Sequence, residues 1–188
     1  MNKILIAGLG NIGEEYENTR HNIGFTVLDL LAKENNIKFR VDRLASVAEY
    51  KIRGKVIILI KPTTYMNLSG KAINYWLQAE KLTKENLLVI TDDIALPFGS
   101  LRMKGKGSSG GHNGLQNIQD TMNTVEYARL RFGVGSEFSK GRQVDYVLGK
   151  WNEEENKTLD SRVKLAAEIA ESFATIGLQL TMTKYNKK

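Results

Sequence analysis

Cysteine is absent from this chain of 188 residues, and histidine occurs only twice, as His21 and His112. Without thiols, the protein cannot form disulfides, a cysteine nucleophile, a cysteine-ligated zinc site or an iron–sulfur cluster. Two histidines also argue against a multi-histidine metal site. We therefore expect chemistry that uses no metal and no other cofactor.

Long apolar runs are missing as well. The longest, residues 56–60, has five residues, whereas a membrane-spanning helix needs about 20. The apolar segment at residues 4–9 is interrupted by glycine too early for a signal peptide. The content of 41% hydrophobic and 26% charged residues is typical of a globular protein. We expect a soluble, intracellular protein without membrane contact, forming one domain over residues 1–188.

Positive charge is in excess, at +6 overall, and the excess is uneven along the chain. Between Gly99 and Lys150 there are eight Lys or Arg against four Asp or Glu, a net charge of +4. Such a segment favours a polyanionic partner, most often a phosphate backbone. A basic surface that only maintains solubility is an equally good interpretation of charge alone.

Apolar segments typical of strands alternate with segments of helical spacing. Strands are predicted at residues 3–7, 87–90, 101–103 and 127–134, and residues 47–52 and 56–60 flank Arg53-Gly54 as a hairpin. Helices are predicted to begin at the caps Asn22 and Ser69, to cover 115–122, and to follow Asn152. This order predicts a single α/β domain whose mixed, mostly parallel twisted sheet is flanked by helices.

Polar side chains follow three of the predicted strands. Asn11 follows the first strand, Tyr65-Met66-Asn67 follows the second arm of the hairpin, and Asp92 follows residues 87–90. Ligands of such sheets bind outside the carboxyl ends of the strands. The sequence therefore predicts a functional site at that edge.

The glycines at 8, 10 and 13 match G-x-G-x-x-G, the pattern of dinucleotide-binding loops. That function requires a helix that begins within the turn, so that its amides meet the pyrophosphate. Here Glu14, Glu15 and Glu17 come next, and helical spacing begins only near Asn22. A dinucleotide-dependent enzyme is therefore a minor alternative.

Gly107, Ser109 and Gly111 match G-x-S-x-G, the pattern of the serine nucleophile elbow. The elbow requires a strand before the serine and a distant histidine after it. The one histidine that follows is His112, three residues away in the same loop. We interpret residues 105–114 as a glycine-rich loop that matches by chance.

His21 lies at the start of the first predicted helix, between Arg20 and Asn22. Most lone histidines are structural, but Asp92 at a strand end and the turn residues Asn11, Asn67 and Asn113 favour a site here. An imidazole accepts a proton from water near neutral pH, and a carboxylate partner fixes its tautomer. A histidine–aspartate pair acting on water suits an activated ester better than an amide.

Several blocks of the sequence occur together in one known family. Residues 16–25 (YENTRHNIGF) and 108–115 (SSGGHNGL) resemble the two signatures of bacterial peptidyl-tRNA hydrolases. Residues 8–11 (GLGN), 61–70 (KPTTYMNLSG) and 129–135 (RLRFGVG) resemble further blocks in the usual order. The resemblance extends from the first strand to the final helix.

This resemblance implies a monomeric cytoplasmic enzyme that cleaves the ester between a peptide and the 3′ ribose of tRNA, and so recycles tRNA from aborted translation. It implies no obligate protein partner. By matching position, His21 is expected to activate water, Asp92 to orient it, and Asn11 to distinguish peptidyl-tRNA from free aminoacyl-tRNA. Residues expected to line the site for the tRNA end and the peptide are Tyr16, Tyr65, Met66, Asn67 and Asn113. Lys104 and Arg131 are expected to contact phosphates.

Two positions depart from the family pattern. Gln116 replaces a usual Lys or Arg, and Ala95 replaces a frequent aspartate. We expect activity to survive both, since Asp92 is retained. A non-catalytic RNA-binding protein is the main alternative, although binding alone needs no base such as His21.

Overall fold

The computed structural model describes residues 2–187, which form seven strands and six α-helices within that range. The strands are β1 (Lys3–Gly8), β2 (Arg40–Asp42), β3 (Ala45–Ile52), β4 (Lys55–Pro62), β5 (Leu87–Asp93), β6 (Leu101–Lys104) and β7 (Ala128–Gly133). The helices are α1 (Ile23–Glu34), α2 (Ser69–Ala79), α3 (Asn113–Met122), α4 (Gln143–Val147), α5 (Glu153–Ile176) and α6 (Leu178–Tyr185).

All seven strands join one sheet in the order β2-β3-β4-β1-β5-β7-β6. The four central strands, β4, β1, β5 and β7, are mutually parallel. The outer strands β2, β3 and β6 pair in antiparallel fashion. The predicted mixed α/β sheet is confirmed, with its parallel part confined to the centre.

Helices cover both faces of the sheet, as a parallel centre requires. On one face, α1 and α5 pack Leu28, Ala170 and Phe173 against the strands. On the other face, α2 and α3 bury Trp76 and Ile118. None of the helices within residues 2–187 is both long enough and apolar enough to span a membrane.

The glycines of the first loop serve close packing of α1 on the sheet. A Cβ on Gly8 would lie 2.3 Å from the Gly24 carbonyl oxygen, and one on Gly24 would lie 2.3 Å from the Leu9 nitrogen. Helix α1 begins only at Ile23, after two 3₁₀ turns at Glu14–Tyr16 and Arg20–Asn22. The loop therefore lacks the helix start that a dinucleotide site needs.

Two predicted caps have other partners. The Asn22 amide bonds the backbone of Asn11 in both directions, and the Ser69 hydroxyl donates to the Met66 carbonyl. A capping box that was not predicted is formed by Asn152 and Glu155 at the start of α5. The long helix predicted after Asn152 is α5, and Gly177, with a φ of 88°, separates it from α6.

Candidate active site

A cleft of about 460 Å³ opens at the carboxyl edge of the parallel strands. Its floor includes Asn11 after β1, Met66 and Asn67 after β4, and Asp92 at the end of β5. His21 enters from the 3₁₀ turn that precedes α1, and the glycine-rich loop brings His112 and Asn113. The geometry thus gathers most of the predicted site residues in one place.

Asp92 lies between the two histidines. Its Oδ2 is 2.8 Å from His21 Nδ1, and its Oδ1 is 2.8 Å from His112 Nε2. The ring centroids of the two imidazoles are 5.0 Å apart. Thr91 adds a hydroxyl 2.9 Å from the same His112 nitrogen. Both carboxylate oxygens are therefore committed to imidazole hydrogen bonds.

The carboxyl group of Asp92 is 3% exposed. Burial acts to raise its pKa, but attraction to His112 and His21 and the hydrogen bonds from both rings outweigh burial. The pKa of Asp92 consequently lies well below its ordinary value. At neutral pH Asp92 is ionised and can only accept hydrogen bonds. His21 Nδ1 and His112 Nε2, which face its two oxygens, therefore each carry a proton.

The tautomer of His112 is fixed from both sides. Its Nδ1 accepts the backbone N–H groups of Gly114 and Leu115, at 3.1 and 3.3 Å. His112 is thus the N-cap of α3, and its Nε2–H is the donor to Asp92. An imidazole in this arrangement is a neutral donor that orients the carboxylate.

His21 has the opposite tautomer. Its Nδ1–H donates to Asp92, so the neutral ring keeps the lone pair on Nε2. Within residues 2–187, Nε2 makes no hydrogen bond, and His21 lines the cleft. This arrangement provides a base with a free lone pair and a carboxylate behind it, which stabilises the imidazolium after proton transfer.

The same three groups are the one cluster in the described chain whose ligand atoms lie close enough for a metal ion, all within 4.8 Å. The low number of histidines argues against a multi-histidine cluster, yet the fold brings both histidines to Asp92. However, His112 Nδ1 already accepts two N–H bonds, so its Nε2 would have to lose its proton before it could bind a metal. The three side chains therefore fit a hydrogen-bond network centred on Asp92 better than a metal centre.

Asn11 is held by its neighbours on both sides. Its backbone N–H donates to Asn22 Oδ1 at 2.8 Å, and its Oδ1 accepts the Met66 N–H at 2.7 Å. The amide NH₂ group of Asn11 (Nδ2) is therefore a donor without a partner among residues 2–187, and Asn11 lines the cleft. A fixed amide donor beside a base can bind a carbonyl oxygen.

A family model described as Peptidyl-tRNA hydrolase matches residues 5–188. The chain belongs to the peptidyl-tRNA hydrolase family. Proteins with that name from Phocaeicola vulgatus and Cytophaga hutchinsonii are 56% and 58% identical over 186 residues, which are 99% of this chain and 100% and 99% of theirs. A crystal structure of peptidyl-tRNA hydrolase from Acinetobacter baumannii has a TM-score of 0.91 at 33% identity, covering 98% of this chain and 95% of that one.

Membership of the peptidyl-tRNA hydrolase family confirms the resemblance that the sequence blocks indicated. The two signature blocks supply His21 and the segment His112-Asn113, and the 61–70 block supplies Met66 and Asn67. The blocks are scattered along the chain but meet at one edge of the sheet. Five of the residues expected to bind substrate line the cleft: Met66, Asn67, Lys104, Asn113 and Arg131.

Tyr16 and Tyr65 lie outside the described lining of the cleft. Their rings meet edge to face, with centroids 6.5 Å apart, and Tyr65 is about half exposed. Tyr65 has a φ of 64°, a left-handed conformation that non-glycine residues rarely adopt. The next N–H along the chain, that of Met66, is the donor to Asn11, so this strained turn adjoins the site.

Lys104 and Arg131, the expected phosphate contacts, line the outer part of the cleft on β6 and β7. Lys104 is exposed, whereas Arg131 Nη1 donates to Asp93 Oδ2 at 3.1 Å. Lys104 therefore has the more available charge of the two. The positive charge of Arg131 is partly balanced within the protein.

The sequence prediction missed the position of His112. His112 was considered only as a partner for Ser109, and the structure places it on Asp92 instead. The Ser109 hydroxyl donates to Gln116 Oε1 at 2.8 Å and makes no hydrogen bond to a histidine ring in the described chain. The missed signal was the helix start at Asn113, which makes the preceding histidine a cap.

Proposed function

We propose that this chain hydrolyses peptidyl-tRNA, and that His21, Asp92 and Asn11 carry the reaction. The observation that supports this most directly is the contact of 2.8 Å between His21 Nδ1 and Asp92, which leaves the opposite nitrogen free in a cleft. The family of the chain gives the substrate class. The site geometry gives the chemistry, which is a base acting on water.

The reaction has two steps. His21 Nε2 takes a proton from water while the water oxygen attacks the ester carbonyl, and Asp92 stabilises the imidazolium. The tetrahedral intermediate then expels the 3′ oxygen of the terminal ribose, which receives the proton from His21. The products are a tRNA with a free 3′ hydroxyl and a peptide carboxylic acid, which releases its proton to solvent and becomes a carboxylate.

Asparagine amides bind the substrate in this proposal. The free Nδ2 of Asn11 is suited to the peptide carbonyl near the ester, a group that an unblocked aminoacyl-tRNA lacks. Asn67 and Asn113 lie on the same cleft, and Tyr16 with Tyr65 offers rings at its outer edge. Lys104 and Arg131 contact phosphates, which gives affinity without sequence preference.

The wider setting is part of the proposal. We infer a monomer that works in the cytoplasm without an obligate protein partner and recycles tRNA from aborted translation. The uneven charge of the chain suits a polyanionic substrate. A single soluble domain over residues 1–188 is sufficient for this activity.

The decisive experiment measures release of labelled peptide from a model peptidyl-tRNA by wild type and His21→Ala. Loss of the base should lower kcat by roughly 10²–10⁴-fold, because general-base help is of that size. Tyr50→Phe, far from the cleft on β3, is the matched control and should retain turnover. Circular dichroism checks that each variant is folded.

Other outcomes have defined meanings. Full turnover in His21→Ala would exclude the proposed base. Binding of peptidyl-tRNA by the wild type without release of peptide would favour the non-catalytic RNA-binding alternative. Saturable tight binding of a dinucleotide would revive the alternative based on the 8–13 loop.

Asp92→Asn gives a second, independent test. An amide can donate to His21 Nδ1 and so favour the wrong tautomer, with the proton on Nε2. We expect kcat to fall by roughly 10²–10⁴-fold while peptidyl-tRNA still binds. An unchanged kcat and pH–rate profile would remove Asp92 from the mechanism.

A further inference from the structure

Arg20, next to His21 in the chain, is 7% exposed and contacts helices α4 and α5 and the segment between them. Its Nη2 donates to Glu155 Oε1 at 2.8 Å, and its Nη1 donates to the Tyr146 carbonyl at 3.1 Å. Its guanidinium lies 4.1 Å from the centre of the Tyr146 ring. The backbone N–H of Arg20 also donates to the Gly149 carbonyl at 3.0 Å.

These contacts place the cation between two helix ends of opposite polarity. The Tyr146 carbonyl, which accepts from the guanidinium, belongs to the last turn of α4, where a positive charge is favourable. The Gly149 carbonyl, which accepts from the Arg20 backbone, lies two residues after that helix. Glu155 lies in the first turn of α5, where a negative charge is favourable. Arg20 therefore joins the turn that carries His21 to both helices.

Helix α4 is also part of the cleft. Gln143, Val144 and Val147 line it together with His21 and His112. Thr19 forms an isolated antiparallel bridge with Lys150, just beyond α4. The His21 turn and the α4 wall are thus connected through the backbone and side chain of two adjacent residues.

Stability alone is a weak reason for this ion pair. Burying both charges costs desolvation energy, and apolar replacements of buried pairs are often neutral or stabilising. A planar fork that bonds two elements in fixed directions does supply orientation. Loss of one partner of this pair would release the turn that aims His21.

We propose that Arg20 is a positioning residue for the base. Its guanidinium, held by Glu155 and the end of α4, fixes the Arg20–Asn22 turn so that His21 Nδ1 faces Asp92 and Nε2 faces the cleft. The effect on turnover rests on the proposed hydrolysis, whereas the effect on the His21 hydrogen bond does not. The two can therefore be tested separately.

The test uses Arg20→Lys and the double variant R20M/E155M in the full chain. Lysine keeps the charge and loses the fork, and the double variant removes both buried charges while keeping bulk. We expect kcat to fall by about tenfold or more, because misplacement of a catalytic group by about 1 Å can cost 10²-fold. KM should change much less, since the substrate contacts remain.

A spectroscopic readout reports on His21 itself. The chain has only two histidines, so nitrogen–proton NMR spectra contain two imidazoles that a His112 variant assigns. The wild type should show His21 as the Nδ1–H tautomer with a hydrogen-bonded proton. Both Arg20 variants should shift or broaden that signal while the His112 signals stay in place.

Thr181→Val is the control for stability. Thr181 is fully buried and bonds Ser172 at 2.9 Å, remote from the cleft, so its loss should lower Tm without changing kcat or the His21 signals. If Thr181→Val lowered kcat as Arg20→Lys does, lost stability would explain the effect and the proposal would fail. Wild-type kcat and His21 signals in Arg20→Lys would also overturn it. If the wild type releases no peptide, the proposed function fails, and the NMR signal still decides the role of Arg20.

Discussion

Asp92 receives hydrogen bonds from two imidazoles in opposite tautomers, His21 through Nδ1 and His112 through Nε2. The difference arises from their backbone surroundings. His112 Nδ1 is occupied by the N–H groups at the start of α3, whereas His21 Nε2 is free. One histidine is therefore committed to structure, and the other keeps a lone pair for chemistry.

The role of His112 can be measured with His112→Ala. This change removes a hydrogen bond to a buried carboxylate and the N-cap of α3, so we expect a loss of about 1.5–3 kcal/mol in the free energy of unfolding. Turnover should fall, but less than in His21→Ala, because the base remains. Urea denaturation and the peptide-release assay give the two values.

Ser109→Ala is the matched control in the same loop. Its hydroxyl bonds Gln116 and the Gly111 N–H, both in or beside the loop, and makes no hydrogen bond to a basic side chain among residues 2–187. Turnover close to wild type is expected. A large loss in Ser109→Ala would instead support the serine nucleophile that the G-x-S-x-G pattern suggests.

At the scale of elements, the site depends on how closely α1 crosses the ends of β1 and β5. A Cβ on Gly24 would lie 2.3 Å from the Leu9 nitrogen and 2.6 Å from the Ile90 carbonyl oxygen. Both are backbone atoms of buried residues, Leu9 directly after β1 and Ile90 within β5, and cannot move aside cheaply. Helix α1 would have to shift, together with the turn that holds His21.

We therefore expect Gly24→Ala to lower the free energy of unfolding by about 3 kcal/mol, the upper end of the range for overpacking, and to lower turnover as well. Gly54→Ala is the control. Its Cβ would meet nothing within 4 Å, and its φ of 77° costs only about 1–2 kcal/mol. Turnover in Gly54→Ala should be unchanged. An equal loss of turnover in both variants would show that close packing of α1 does not position the site.

The sequence was sufficient to predict elements with strong apolar patterns. Strands β1, β4 and β5 are buried over most of their length, and α5 has a regular apolar face and a capping box. Strand β2 is fully exposed, and α4 spans only five residues, so neither has a pattern to detect. Strand β2 forms because it pairs with β3, and α4 is held by contacts with the turn at Arg20. Local sequence indicates neither interaction.

For the site, the sequence likewise predicted some of the residues but not the long-range contacts between them. Strand ends marked Asn11 and Asp92, and the family blocks marked His21. The link from Asp92 to His112 could not be predicted, because it depends on where α3 begins relative to β5. The contacts of Arg20 with α4 and α5 span more than 120 residues of sequence and have no local pattern.

At the scale of the whole molecule, four buried or partly buried tyrosines on different elements have raised pKa values. Burial raises the pKa of Tyr50 on β3, of Tyr127 before β7, of Tyr146 on α4 and of Tyr185 on α6. For Tyr50, a hydrogen bond of 2.8 Å to Glu171 raises the pKa further. For Tyr127 and Tyr146, the nearby Arg129 and Arg20 oppose the rise without cancelling it.

These shifts predict alkaline unfolding. In the folded state these four tyrosines stay neutral above pH 10, whereas the unfolded chain ionises them near the ordinary tyrosine pKa of about 10. Above that pH the unfolded state binds fewer protons, so the free energy of unfolding falls as pH rises. The stabilising contribution is complete below pH ~10 and is lost progressively above it. Urea denaturation from pH 7 to pH 11 measures the curve.

Tyr50→Phe isolates one of these protons. At pH 7 the variant should be less stable by about 1 kcal/mol, because it loses the hydrogen bond to Glu171. Above pH ~10 its slope should be shallower than that of the wild type by up to about 1.4 kcal/mol per pH unit, the effect of one proton. The two curves should therefore converge as pH rises. Parallel curves over the same range would show that Tyr50 ionises equally in both states, and its burial would then contribute nothing to alkaline stability.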